Sequence, residues 1–433
     1  VTTAVGSARV LRSPAFWSLA AFTLYAVITR AWSVAPADTD RESMLTLGYL
    51  ATFFVVRSQI VRHGGMALGA VASWFVYTAT FTAAWGLATF LWRWGPYAAM
   101  LNNVFRAGST FEYSNALSCF SLMALPVTIA LQRRAASPDR SLLAVAVTLQ
   151  ASAVLVSYAR FGILMLAALS LYLVLSGWRG GFTLSTAFSL AMALPVGVVA
   201  TMTSESWDPF TGLLIIVVIM VVAWLVDSYQ DAPKFRSAPR VVAALLAAGG
   251  LAAAVLLANR SERMQVILSI RFREGFSLSR LLPHRLDTWQ GAVDAYRVRP
   301  LAGSGLGSFA QVFAQYTIAV YTKYAHNLII QTAVDTGIIG VVLLVLFLGY
   351  VIVLSVWRLL VASHPLARAF AVSSLIFIVY NMFDWEWYVP ALTAWFMVGV
   401  ACLEATPGKG LEEGEPEIGK SYLTTISVVK KAI

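Results

Sequence analysis

The feature that most constrains this chain is a series of apolar runs, each near twenty residues long, separated by short segments that carry the charges. About 20 apolar residues in a helix cross the hydrocarbon core of a bilayer. The runs lack the alternation of strands, and in lipid a helix satisfies its own backbone groups. Only 12% of the residues are charged, and the mean hydropathy is +0.74. The sequence therefore predicts an all-α, polytopic membrane helix bundle.

We predict about twelve spans from these runs. They lie near residues 14–29, 43–61, 66–91, 113–132, 141–159, 160–176, 183–201, 210–228, 239–258, 336–357, 366–383 and 387–404. Residues 1–258 would then hold helices 1 to 9, and residues 336–405 would hold helices 10 to 12. Residues 259–335 form a large external loop with amphipathic helices, and residues 406–433 form a mobile cytoplasmic tail.

The distribution of basic residues predicts the orientation. With a cytoplasmic N-terminus, the short internal loops hold Arg62, Arg133, Arg134, Arg140, Arg179, Lys234, Arg236, Arg240, Arg358 and Arg368. The opposite loops hold mainly acids, among them Asp384 and Glu386, which agrees with the positive-inside rule. Because the bases are spread between apolar runs and form no single patch, the net charge of +10 does not indicate nucleic acid.

Cys119 and Cys402 lie in apolar segments, which predicts packing residues and neither a disulfide nor a metal framework.

Two external segments break this charge rule. The smaller, residues 92–114, holds Arg93 and Arg106. The larger, residues 259–325, holds nine bases against four acids. The bases are Arg260, Arg263, Arg271, Arg273, Arg280, Arg285, Arg297, Arg299 and Lys323. One interpretation is a solvated surface, because long loops translocate whatever their charge. The other is an anion site, since arginine forks bind phosphate in a bidentate way.

Two motifs follow within the larger segment. The stretch that begins at Arg285 and contains Trp289 has apolar residues at helical spacing, which predicts an amphipathic helix on the membrane surface. After it, Gly303, Gly305 and Gly307 indicate a turn-rich loop. No strand precedes these glycines, so they do not indicate a nucleotide-binding fingerprint.

His326 is the most informative residue, because it precedes the tenth span at the external interface. On one continuous helix, Ala333, Gly337 and Gly340 would each fall within roughly 40° of His326 and form with it a close-packing face of small residues. Asn327, Gln331 and Asp335 would form a polar stripe. A lone histidine can be a structural, hydrogen-bonded residue. Here the arginine-rich segment beside it favours a general base that takes a proton from a hydroxyl.

A further arginine, Arg160, follows Ser157-Tyr158-Ala159 at a predicted tight external turn between the fifth and sixth spans. An arginine near the bilayer needs a partner or a path for its head group to reach water. Both an anion ligand and a snorkelling side chain fit this position.

The chain resembles the O-antigen ligase family, which includes related polymerases and O-oligosaccharyltransferases. The resemblance covers most of the chain. It rests on Trp32-Ser-Val-Ala-Pro36, Gly108 to Asn115, Ser157 to Arg160, Arg285-Leu-Asp-Thr-Trp289, Pro300 to Gly305 and, above all, His326 to Gly340. The last stretch fits the family's pattern of histidine, a small polar residue, nine residues, glycine, two residues and glycine.

The resemblance implies a GT-C-like, inverting glycosyltransferase of the bacterial inner membrane that needs no metal or cofactor. Its partners would be a glycan donor linked to undecaprenyl diphosphate, a glycan or lipid acceptor and membrane lipids. The implied catalytic residues are His326, Arg285 and Arg160. Candidates for substrate contacts are Arg106, Arg271, Arg273, Arg280, Trp289, Tyr324, Asn327, Gln331 and Asp335.

The sequence departs from the family pattern in two places. Asp335 stands where glutamate is common, and Ser157-Tyr-Ala-Arg160 is looser than the usual serine-arginine pair. The short polar tail favours a ligase over protein glycosylation. A polymerase of the same chemistry and, in another class, a transporter remain alternatives. Few ionisable residues lie within the spans, and no inverted repeat of broken helices is visible, which disfavours transport.

Overall fold

The computed structural model describes residues 10–101, 104–180, 184–206, 208–228, 265–266, 269, 285–316, 322–361 and 364–405. The chain is mostly helical, as predicted. It divides into two compact units. Val1–Leu68 and Phe276–Glu413 form the first unit, and Gly69–Gly275 with Gly414–Ile433 forms the second.

The first unit contains seven helical elements among its described residues. They are α1 (Pro14–Ile28), the first part of α2 (Pro36–Leu91), α8 (Arg285–Val298), α9 (Phe309–Phe313), α10 (Leu328–Val361), α11 (Pro365–Tyr380) and α12 (Pro390–Ala405). Short 3-10 turns cover Thr29–Trp32 and Glu386–Tyr388. Helix α10 packs against α1 and α11, and α11 packs against α12. Stacked rings of Phe377 and Phe396, 4.4 Å apart, lie in the α11–α12 contact.

A buried carboxylate joins several helices of this unit. Glu404 accepts hydrogen bonds from the Ser13 hydroxyl at 2.6 Å and the Tyr350 hydroxyl at 2.9 Å. Arg57 completes the cluster, with its Nε 3.1 Å from the carboxylate. Isolated charges are costly within a membrane, so pairing compensates both groups. The same Ser13 hydroxyl accepts a hydrogen bond from the Phe16 N–H and caps α1, whose first residue is Pro14.

The second unit contains the remaining part of α2, a small β-hairpin and five further helices among its described residues. The strands are β1 (Ala98–Leu101) and β2 (Val104–Ala107), which pair antiparallel with Ala98 opposite Ala107. The helices are α3 (Ser114–Gln132), α4 (Asp139–Val156), α5 (Arg160–Gly180), α6 (Leu184–Glu205) and α7 (Pro209–Ser228). Almost every residue of α3 is buried, and α3 packs against α4, which contacts α6 and α7.

Eleven of the twelve predicted spans coincide with helices, and the twelfth, near residues 239–258, lies outside the described residues. Six of the described helices, α2, α3, α4, α6, α7 and α10, are long and apolar enough to cross a membrane. Shorter apolar helices are α5, α11 and α12. The predicted spans 43–61 and 66–91 form the single element α2, which is interrupted at Gly64 with φ 56°. These features indicate a multi-pass membrane protein, and the count of twelve stays a prediction.

The predicted face of small residues below His326 is wrong. That prediction assumed one continuous helix from His326 to Gly340, whereas α10 begins only at Leu328. His326 has a left-handed backbone with φ 53°, and Gly337 interrupts α10 with φ 65° and ψ −170°. Because two of the four residues are not helical, they do not share a helical face.

Position 337 requires glycine because of its left-handed backbone and because other backbone atoms lie close to it. A Cβ atom there would overlap the Leu301 carbonyl oxygen, because the turn-rich loop of residues 300–307, here called the glycine loop, approaches the α10 backbone closely. We expect Gly337→Ala to cost at least about 1 to 3 kcal/mol and to lower the melting temperature in detergent. Gly349→Ala in the same helix is the matched control, since nothing lies within 4 Å of its added Cβ. Equal melting temperatures for the two variants would contradict this account.

Candidate active site

His326 lies in a loop that is attached at both sides to well-packed elements. Asn327 caps α10, since its side-chain oxygen accepts a hydrogen bond from the Ile330 N–H at 3.0 Å. The Asn327 side-chain nitrogen donates to the Met382 carbonyl at 2.9 Å, and the Leu328 N–H donates to the Asn381 carbonyl. The start of α10 is therefore attached to the turn that follows α11.

This attachment brings His326 to Asp384, which comes from that turn. The imidazole Nδ1 lies 2.8 Å from Asp384 Oδ1, and the Trp385 N–H donates to the same oxygen at 3.1 Å. Asp384 is only 3% exposed, whereas the His326 side chain is 28% exposed. A carboxylate accepts hydrogen bonds, so this pairing favours the tautomer with hydrogen on Nδ1. The lone pair of Nε2 can then accept a proton.

Arg285 joins the same carboxylate from the start of α8. Its Nη2 lies 3.5 Å from Asp384 Oδ2, and its Nη1 donates to the Phe383 carbonyl oxygen. The predicted base and the predicted anion-binding arginine therefore share Asp384. A guanidinium carries five N–H groups, so Arg285 keeps further donors beyond these two contacts.

Trp289 and Gln331 both hydrogen-bond to Ala325, the residue directly before His326. The Trp289 indole N–H donates to the Ala325 carbonyl at 2.8 Å, and the Gln331 side-chain oxygen accepts from the Ala325 N–H at 2.9 Å. Ala325 is fully buried. These two hydrogen bonds hold the backbone directly before His326. The predicted contacts of Trp289 and Gln331 with substrate stay predictions.

Asp335 lies beneath the glycine loop, fully buried. The Ser304 N–H donates to the Val334 carbonyl at 3.1 Å, and the Gly305 N–H donates to the Asp335 carbonyl at 2.7 Å. Gly303, Gly305 and Gly307 have φ of 66°, 108° and 77°, which confirms the predicted turns. Among the described residues, no group bonds the second carboxylate oxygen of Asp335. The glycine loop is therefore hydrogen-bonded to α10 at Val334 and Asp335, just before Gly337 interrupts the helix.

Aromatic rings flank the His326–Asp384 pair. The Tyr324 ring stacks on Trp385 with centroids 4.6 Å apart and on Tyr388 with centroids 5.1 Å apart. All three residues are intermediate in burial. Tyr324 is two residues before His326, and Trp385 directly follows Asp384, so both loops of the pair contribute a ring to this cluster.

Glu386 is a second acid of this turn and is fully buried. Within the described residues, neither of its carboxylate oxygens has a hydrogen-bond partner. Burial raises the pKa of Glu386 well above its usual value, and the negative charge of Asp384 raises it further. Both effects favour the protonated, uncharged acid.

Two predicted arginines belong to the second unit. Arg106, only 6% exposed, donates from Nε to the Ser157 carbonyl and from Nη2 to the Asn115 side-chain oxygen, each at 2.7 Å. It therefore ties β2 to the end of α4 and the start of α3. Arg160 is the first residue of α5 and is half-buried, directly after the tight turn that the sequence predicted. Arg271, Arg273 and Arg280 lie outside the described residues.

The second unit also contains an apolar cavity of about 350 Å³. It lies between α2, the end of α3 and α4, and its lining includes Val76, Tyr77, Leu131, Asp139 and Leu143. None of the predicted site residues lines this cavity. We therefore place the candidate chemistry at His326 and not at the cavity.

Sequence reasoning missed Asp384 as a member of the site and treated it only as a marker of orientation. The residue stands 58 positions after His326, and no local pattern links the two. A search for a carboxylate that could orient the predicted base would have drawn attention to Asp384 and Glu386, the acids of the next turn that the sequence predicts to be external.

Part of the chain matches a known family. Residues 187–345 match the family model described as O-Antigen ligase. This range includes Arg285, the glycine loop and His326, and it ends within α10. Arg160 and Asp384 lie outside it. No curated protein matches the chain.

Proposed function

We propose that this chain, which matches the O-antigen ligase family over residues 187–345, transfers a glycan from an undecaprenyl diphosphate carrier to an acceptor hydroxyl. The family indicates a function of the ligase or polymerase type. The transfer would take place at the external face of the bacterial inner membrane. The observation that carries the proposal is the pairing of His326 and Arg285 through Asp384.

In the proposed reaction, His326 acts as the general base. Nε2 takes the proton of the acceptor hydroxyl while the acceptor oxygen forms a bond to the anomeric carbon of the donor. The bond between that carbon and the diphosphate oxygen breaks, and its electron pair leaves with the diphosphate. Asp384 holds the imidazole and stabilises the positive charge that it gains. Attack from the side opposite the leaving group inverts the anomeric configuration.

The diphosphate would be bound by arginines. Arg285 offers its remaining N–H groups, and charge-assisted hydrogen bonds to phosphate are short and strong. The expectation from the sequence that Arg160, Arg271, Arg273 and Arg280 also contact the diphosphate stays a prediction. No step of this scheme requires a metal. Among the described residues, no group of three or more His, Cys, Asp or Glu side chains is placed to hold a metal ion.

We expect Arg285→Ala to weaken donor binding by about tenfold to 100-fold, because the lost charge-assisted bonds are worth about 1.5 to 3 kcal/mol. Binding of the undecaprenyl diphosphate glycan to protein in nanodiscs measures this effect. Arg297→Ala on the same helix is the control, since Arg297 is 72% exposed and pairs only with Asp294 among the described residues. If both variants bind the donor as the wild type does, Arg285 is not a ligand.

The proposed function is tested by incubating the purified chain with that donor and a set of acceptors, with a chelator present, and following the glycan. A ligase gives glycan on the acceptor. A polymerase gives longer glycan that is still linked to the carrier. If no acceptor is modified and the glycan-lipid instead moves between the leaflets of liposomes, the chain is a transporter and the proposal fails.

A further inference from the structure

We propose that the apolar cavity of the second unit binds an anionic phospholipid, with one acyl chain in the cavity and the phosphate at Arg133 and Arg134. The cavity lies between α2, the end of α3 and α4, entirely within that unit. Neither the family match nor the sequence motifs assign a role to it. This lipid site does not depend on the proposed glycan transfer.

The first support is the shape of the cavity. Its lining includes the buried side chains of Val76, Leu131 and Ala146, which form a floor, whereas Phe81 and Leu142 are more than half exposed and form a rim. The cavity is therefore open to its surroundings along the rim. Its volume of about 350 Å³ lies within the range of about 300 to 1,000 Å³ that small-molecule sites have.

The second support is the surroundings of the opening. Helices α2, α3 and α4 are each long and apolar enough to cross a membrane, so an opening between them faces hydrocarbon. Thr80, one of the few polar residues in the lining, already donates to the Val76 carbonyl and accepts from the Gln150 side-chain nitrogen at 3.1 Å. A cavity that is apolar in this way does not retain water. An acyl chain, which gains van der Waals contacts with the floor, is therefore the favoured occupant.

The third support is the charge at one end of the cavity. Asp139 lines the cavity and is the first residue of α4, so this end lies at the loop between α3 and α4. Arg133 and Arg134 begin that loop, directly after α3 ends at Gln132. Residues 133–140 hold three bases against one acid. An excess of positive charge beside an apolar site between spans attracts the phosphate of an anionic lipid, above all on the cytoplasmic side, where the sequence predicts this loop to lie.

Lipid binding to the full chain in detergent, measured by native mass spectrometry, tests this proposal. The probes are phosphatidylglycerol, phosphatidylethanolamine and phosphatidylcholine with identical acyl chains. We expect the wild type to bind phosphatidylglycerol about tenfold more tightly than the other two, and Arg133→Gln with Arg134→Gln to remove this preference. Arg62→Gln is the control, since Arg62 is an exposed arginine of another loop that the sequence predicts to be internal.

A second variant tests the acyl chain separately from the phosphate. Ala84 lines the cavity, so Ala84→Phe should fill part of it and weaken phosphatidylglycerol binding by about tenfold. Ala167→Phe makes the same change at an exposed alanine of α5 that does not line the cavity, and should bind as the wild type does. Should Ala84→Phe fail to fold, Val145→Phe provides the same comparison.

Three results would overturn the proposal. Equal binding of phosphatidylglycerol and phosphatidylcholine to the wild type would mean that the arginines recognise no phosphate headgroup charge. Tighter binding of phosphatidylethanolamine would instead make an ammonium group, paired with Asp139, the recognised feature. Wild-type binding in the folded cavity variants would place the acyl chain elsewhere. None of these results bears on glycan transfer, which is measured independently.

Discussion

His326→Ala is expected to lower the rate of glycan transfer by about 10² to 10⁴, the usual contribution of a positioned general base. Donor affinity should stay close to that of the wild type, because the phosphate ligands in this account are arginines. The imidazole is partly exposed, and the buried Asp384, which loses it as a partner, keeps Arg285 and the Trp385 N–H. Single-turnover transfer and donor binding, measured on the same preparation, separate the two effects.

The matched control for this variant is His63→Ala, which removes an exposed histidine on α2. It should transfer glycan at the wild-type rate. Near-normal turnover in His326→Ala would show that another group accepts the proton. A loss of donor binding as large as the loss of rate would instead make His326 a substrate ligand.

Asp384→Asn is expected to lower turnover by about 10² to 10⁴ while donor binding is kept. The amide can donate to Nδ1, which would place the imidazole hydrogen on Nε2, where the acceptor proton has to go. It also removes the negative charge that stabilises the imidazolium. Arg285 loses an anionic partner and keeps its full charge for the diphosphate, so weaker donor binding is not expected.

Glu386→Gln is the matched control for Asp384→Asn, because it makes the same change of acid to amide two residues away. The Glu386 side chain is favoured in its neutral form, so a neutral amide should leave turnover close to that of the wild type. If both variants lose turnover equally, the effect comes from the fold of the turn and not from the orientation of His326. Turnover that survives in Asp384→Asn would rule out the role assigned to Asp384.

The helices could be predicted from the sequence because apolar runs of this length have one stable form in lipid. The glycine loop could be predicted as well, since three glycines with a proline have a strong turn signal. The β-hairpin at residues 98–107 was missed. Its one local signal was the Asn102-Asn103 pair followed by Val104-Phe105, because the preceding run Ala98-Ala-Met-Leu101 is not rich in strand-forming residues.

The site could be predicted only where its residues are close in sequence. His326 and Arg285 stood out because their motifs are local. Asp384 joins them through hydrogen bonds between the loop before α10 and the turn after α11, and helical periodicity carries no information about such a contact. The interruption at Gly337 was missed for a related reason. Glycine is tolerated in membrane helices, so only the close approach of the Leu301 carbonyl makes the break necessary.

The measurement that tests the central claim most directly is the anomeric configuration of the glycan before and after transfer, determined by NMR on the donor and on the purified product. Attack by an acceptor hydroxyl that His326 has deprotonated displaces the diphosphate in one step. The account therefore predicts an inverted linkage, with one undecaprenyl diphosphate released for each glycan transferred. A retained configuration would require either two displacements or attack from the same side as the diphosphate, and both would contradict the single opposite-side displacement in which His326 is the base.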